Sequence, residues 1–81
     1  MKNDKCQIVF RKLIYFFENK IPVHFKDTEN IFYNGLIIDL SEKNYTLVIK
    51  ERMRGEIPIL LEVINPDSIS KFIEGENEYP S

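Results

Sequence analysis

The sequence contains no tryptophan, no alanine, one cysteine and one histidine in 81 residues, and its three glycines stand apart at positions 35, 55 and 75. Each scarcity removes a class of function. The single Cys6 can close no internal disulfide and cannot alone form a zinc site, which fits a reducing compartment and a cytoplasmic location. In the first turns of a helix its thiol is expected to pack as a small apolar group, because no base stands near it to make a nucleophile. The lone His24 has no second histidine or cysteine near it in sequence, so it reads as a surface side chain rather than a metal ligand or general base. Isolated glycines build no phosphate-cradling loop. No apolar run approaches the roughly 20 residues that cross a bilayer, and Met1-Lys2-Asn3-Asp4 lacks the charged-then-apolar signature of a secretion signal. The expectation is a chain that is not an enzyme, with no cofactor, no metal and no membrane partner.

What is present points to sheet. The apolar set holds 12 Ile, 6 Leu, 6 Phe and 4 Val, and β-branched and aromatic residues suit a pleated, half-buried surface. The length is that of one small domain, whose stability rests on one compact core or on surface shared with a partner. The net charge of −2 conceals a gradient: residues 1–27 carry six Lys/Arg against three Asp/Glu, whereas residues 28–81 carry five against ten. Glu74, Glu76 and Glu78 fall in a stretch, 74–81, with neither apolar period nor length to pack, which is expected to be a flexible acidic tail. Residues 1–73 then carry +1, and only a local patch could serve nucleic acid.

Periodicity places the elements within a domain spanning 1–73. Residues 4–18 read as a helix, with Asp4 and Gln7 resembling a capping box, with Ile8, Val9, Leu13, Phe16 and Phe17 on one stripe, and with Asn19-Lys20 as a left-handed stop. The period then falls to two. Strands are predicted at 21–26, 31–40, 45–52, 57–64 and 68–73, joined by turns a few residues long. Gly35, inside the otherwise apolar second strand, costs stability unless it lets that strand bend. Five short, strongly bent antiparallel strands then make a small barrel, Sm-like or SH3-like, capped by one N-terminal helix. Asp39 and Glu42, three apart at a strand end, read as solvated carboxylates.

This layout resembles the Sm/LSm family of small β-barrels over about residues 4–73. The segment that carries the likeness runs Phe32-Tyr33-Asn34-Gly35-Leu36-Ile37-Ile38-Asp39-Leu40, then Ser41-Glu42-Lys43-Asn44-Tyr45-Thr46-Leu47-Val48. It is similar to that family's bent second strand, its Asp- and Asn-bearing loop and its apolar third strand. The family's basic Arg-Gly or Lys-Gly pair between the last two strands is not matched, since Asn65-Pro66-Asp67 stands there and Arg54-Gly55 lies one turn earlier. The resemblance implies a homo-oligomer joined through the fourth and fifth strands, and contact with single-stranded RNA. The alternative is an SH3-like module whose strand edge or acidic tail binds a protein partner.

Two sets of residues follow. Asp39, Lys43, Asn44 and Tyr45, with Arg52 and Arg54, combine the cationic, amide and aromatic groups that hold a phosphate and stack a base. Arg52 and Arg54 could instead pair with Glu51, Glu56 or Glu62, leaving Tyr33 and Tyr45 to core or interface, and Arg54→Ala is expected to leave folding intact. The fourth strand is apolar on both faces and carries Pro58, which belongs at an edge or strand start. Ile57, Ile59, Leu60, Leu61 and Val63, with Ile69, are therefore the expected oligomer interface, unless the helix covers that strand.

Overall fold

The computed structural model describes residues 2–73, so the acidic tail expected at 74–81 lies outside the described residues. Helix α1 (Lys2–Glu18) leads into five strands: β1 (Val23–Lys26), β2 (Phe32–Ser41), β3 (Thr46–Glu51), β4 (Gly55–Leu60) and β5 (Ser70–Lys71). Two 3-10 turns, Leu61–Val63 and Pro66–Ser68, separate β4 from β5.

The helix forms where its apolar period predicts, but its buried stripe is Cys6, Val9 and Leu13, with Phe10, Phe16 and Phe17 packed beside them. Ile8 falls off that stripe and is 46% exposed. Asp4 lies inside the first turn, where its charge complements the helix dipole, rather than at a cap position. The stop is as expected: Lys20 adopts φ 55°, and the Ile21 N–H reaches back to the Phe16 carbonyl at 2.9 Å, as in a Schellman cap. Two lysines then clip the helix to the 3-10 turns. Lys5 Nζ donates to the Glu62 carbonyl at 2.7 Å and Lys12 Nζ to the Pro66 carbonyl at 3.1 Å.

All strand pairings are antiparallel and the sheet order is β4-β3-β2-β1-β5. The long β2 serves two ladders, because Phe32–Gly35 pair with β1 and Leu36–Ser41 with β3. The handover falls at Gly35, where an added Cβ would stand 2.2 Å from the Lys50 carbonyl oxygen. Absence of a side chain is what lets β3 approach the strand so closely. A register shift between Ile37 and Asp39 adds a bulge beyond it. Val23, Phe25, Ile37, Leu47, Ile49 and Ile59 from the strands meet Val9 and Leu13 of the helix in a single core.

The sheet is not closed, so the barrel expected from the sequence is not completed by its hydrogen bonds. β4 and β5 remain its two edges. The physical reason lies after Leu60, where the predicted strand over 57–64 gives way to a 3-10 turn. In that turn Leu61 and Ile64, three residues apart, both point into the core. The chain is then tied to the end of β1 through an Asp27–Ile64 bridge and through Thr28 N–H to the Val63 carbonyl, 2.9 Å. The fifth strand shrinks to two residues because Pro66–Ser68 takes a 3-10 turn capped by the Asn65 side chain.

Candidate functional site

Two turns flank β3, and they divide the residues expected to contact RNA. Asp39, Lys43, Asn44 and Tyr45 sit at the β2–β3 end, whereas Arg52 and Arg54 sit at the β3–β4 end. Six residues of extended strand hold the two groups roughly 20 Å apart. They do not form one site.

At the β2–β3 end, Asp39, Lys43 and Asn44 are exposed and Tyr45 is half-buried. The turn is tight: the Asn44 N–H donates to Ser41 Oγ at 3.0 Å, and Tyr45 adopts φ 54°. The Tyr45 carbonyl accepts the Leu61 N–H at 2.9 Å, which sets this turn beside the first 3-10 turn.

The β3–β4 end is built differently. The Glu51 side chain is 8% exposed and accepts from Arg54 Nε, from Arg54 Nη2 at 2.9 Å and from the Asn34 N–H at 3.0 Å. Arg54 Nη2 also donates to the Phe32 carbonyl at 2.8 Å, and its guanidinium stands 5.0 Å from the centre of the Tyr33 ring. Tyr33 stacks on Phe25 and donates its hydroxyl to Asp27 Oδ2 at 3.1 Å. Asp27 Oδ1 accepts the N–H groups of Glu29 and Ile31 at 2.8 and 3.0 Å, closing the β1–β2 turn. Burial pushes the Asp27 carboxyl up, but the two N–H groups and the Tyr33 hydroxyl outweigh it and hold the group below its ordinary range. Burial, and then the charge it faces on Asp27, pushes the Tyr33 hydroxyl above its ordinary value. Arg54 is thus a structural cation, which is the alternative pairing the sequence left open. Its removal is expected to cost stability, because the buried Glu51 carboxylate would keep the Asn34 N–H but lose its charge partner.

Sequence reasoning offered Tyr33 as a core or interface residue but missed its contact with Asp27. An aspartate followed by N–H groups two and four residues on is a turn-closing signal, but the tyrosine reaches it only through strand register. His24 is half-buried and fixed, its Nδ1 meeting Asn34 Oδ1 and its ring stacked on Phe32 at 5.4 Å. Cys6 is buried in the core. Among the described residues no three His, Cys, Asp or Glu side chains gather as a metal site, and no helix is long and apolar enough to cross a membrane.

The register defines the β4 edge. Leu61 N–H bonds Tyr45, so the exchange of hydrogen bonds recurs at the 47/59, 49/57 and 51/55 pairs. Glu56, Pro58 and Leu60 therefore turn their backbone groups away from β3. Pro58, lacking an N–H, sits where β3 loses nothing by it. Of the expected interface residues, Ile59 and Leu61 belong to the chain's own core. Leu60 is 51% exposed, and Ile57, Val63 and Ile69 are half-buried.

No protein-family model, curated protein or solved structure matches the chain.

Proposed function

We propose that the chain is a non-catalytic Sm-like module whose copies assemble edge to edge, β4 of one against β5 of the next. The open sheet is the observation that carries this reading. Its two edges are different strands of one sheet, so each copy can offer β4 to one neighbour and β5 to another. Such head-to-tail pairing repeats into a ring or a filament, and the barrel is then completed between copies rather than within one. Leu60 on β4 and Ile69 beside β5 are the apolar groups that this contact covers, with Ile57 and Val63 at its margin.

Within that assembly the Lys43-Asn44-Tyr45 turn is the surface for single-stranded RNA. Lys43 supplies a cation for phosphate, Asn44 an amide for a base edge and Tyr45 an aromatic ring. One copy has little charge to offer, and repetition around an assembly multiplies it. Arg54 is outside this surface.

Light scattering on the full chain tests the assembly. The expected mass is a multiple of 9.6 kDa, and a 9.6 kDa particle at high micromolar concentration overturns the reading. Titration with oligouridylate at rising salt tests the RNA surface, with affinity expected to fall steeply as salt rises and to weaken in Lys43→Ala. Absence of binding at low salt removes the RNA part and leaves the assembly standing.

A further inference from the structure

Asn34-Gly35 is the chain's one asparagine–glycine step, since the six other asparagines precede Asp, Lys, Ile, Tyr, Pro or Glu. A glycine leaves its backbone nitrogen unshielded by a side chain and its backbone free to swing, so in a loose chain that nitrogen reaches the side-chain carbonyl carbon of the asparagine before it. The dipeptide belongs most often to hairpin turns, yet here it lies inside the ten-residue β2. Each residue is fitted to that place. The approach of β3 excludes a Cβ at Gly35, and the Asn34 side-chain oxygen meets His24 Nδ1.

We propose that Asn34 is a deamidation site that the native sheet holds closed and that unfolding opens. The step consumes only water. The Gly35 nitrogen gives up its proton and attacks Asn34 Cγ; the Cγ–Nδ2 bond breaks, ammonia leaves, and a five-membered succinimide remains. Water then adds to one of the two ring carbonyls and opens the ring, giving aspartate or isoaspartate. Isoaspartate carries one more carbon in its backbone path. Nothing is oxidised or reduced.

The register explains why the native chain resists. The Phe72 N–H bonds the Pro22 carbonyl at 2.9 Å and the Asp27 N–H bonds the Ile31 carbonyl at 3.0 Å, so even-numbered residues of β1 face β5 and odd-numbered ones face β2. Val23 therefore exchanges hydrogen bonds with its partner Gly35, and the attacking nitrogen is committed to the Val23 carbonyl. The atom under attack is held as well. The Asn34 N–H donates to Glu51 Oε2 at 3.0 Å, and its side-chain oxygen is fixed on His24. With both ends anchored, the ring closes only when β1 parts from β2.

The product is a poor fit to the same place. Isoaspartate at position 34 lengthens the backbone by one carbon next to Gly35, where the Lys50 carbonyl oxygen already stands 2.2 Å from the position of a Cβ. It shifts the pairings with His24 and Val23 out of register. A chain so modified does not regain the native sheet, and long unfolding becomes irreversible. This inference rests neither on the assembly of copies nor on RNA.

The test holds the full chain in mildly alkaline buffer, with and without guanidinium chloride, and follows the tryptic fragment 27–43 by mass spectrometry. Conversion of Asn34 to the acid is expected to run at least about tenfold faster in denaturant, because a ladder inside the sheet opens rarely. Gly35→Ala, read only in denaturant where its clash has no effect, is expected to slow the conversion several-fold. Equal rates with and without denaturant, conversion shared evenly between Asn30 and Asn34, or a Gly35→Ala chain as reactive as the parent overturns the proposal. Dilution from denaturant after increasing times reads the consequence. The fraction that refolds is expected to fall in step with isoaspartate content, and full refolding of isoaspartate-bearing chains overturns the irreversible block.

Discussion

The two turns that flank β3 carry similar chemistry and have opposite roles. Both hold a basic residue and an aromatic one: Lys43 stands two residues before Tyr45 in sequence, and Arg54 lies over the Tyr33 ring. At the β3–β4 end the arginine is committed to Glu51, to the Phe32 carbonyl and to the Tyr33 ring, and through Tyr33 the contacts continue to Asp27. At the β2–β3 end lysine and asparagine project into solvent. The difference lies in what lies beneath: a carboxylate buried by strand register converts a surface cation into part of the fold.

The largest test of that contrast is Gly35→Val at the structural end. Its side chain would collide with the Lys50 backbone, which cannot move aside as a flexible side chain would. A loss of about 3 kcal/mol or more is expected from urea denaturation, enough to unfold a marginal domain. A variant as stable as the parent would break the close approach of β3 at Gly35. Next comes Arg54→Ala, expected to cost about 2–3 kcal/mol because hydrogen bonds to a charged group are lost and Glu51 is left buried. Adding Glu51→Gln should recover part of that loss, and simple additivity of the two changes would deny the coupling.

Acid sharpens the contrast further. The Asp27 carboxyl is held below its ordinary value in the folded chain, so its contribution is present above the unfolded pKa and is lost as pH falls through the folded one. Tyr33 is shifted the other way, and its contribution is present below the unfolded tyrosine pKa and lost as pH rises through the folded one. Tyr33→Phe should cost about 1 kcal/mol at neutral pH and flatten the alkaline limb of a stability-against-pH curve. The smallest effect is expected at the other turn, where Lys43→Ala should change stability by no more than about 0.5 kcal/mol. A large loss there would erase the distinction between the two ends.

Much of this was legible before the structure. The change of period after Lys20 separates helix from strands, and Gly35, singled out as a glycine among apolar strand residues, falls where β2 passes from β1 to β3. The apolar run from Ile57 to Ile64 misled, since continuous burial looks alike in a strand and in a 3-10 turn, and only Leu61 and Ile64 facing one core tell them apart. The division of the basic residues between two ends was already implied, because a strand over 45–52 puts the turn before it and the turn after it at opposite ends, yet the expectation joined them into one set. The bond from Tyr33 to Asp27 was hidden, because their six-residue separation becomes a contact only when β1 and β2 pair.

Hydrogen exchange at two amides tests edge-to-edge assembly most directly. The register turns the Glu56 and Leu60 N–H groups outward from β4. Assembly through that edge predicts that both become protected as protein concentration rises, while the inward amides of Ile57 and Ile59 are protected throughout. Rapid exchange of Glu56 and Leu60 at every concentration would contradict it.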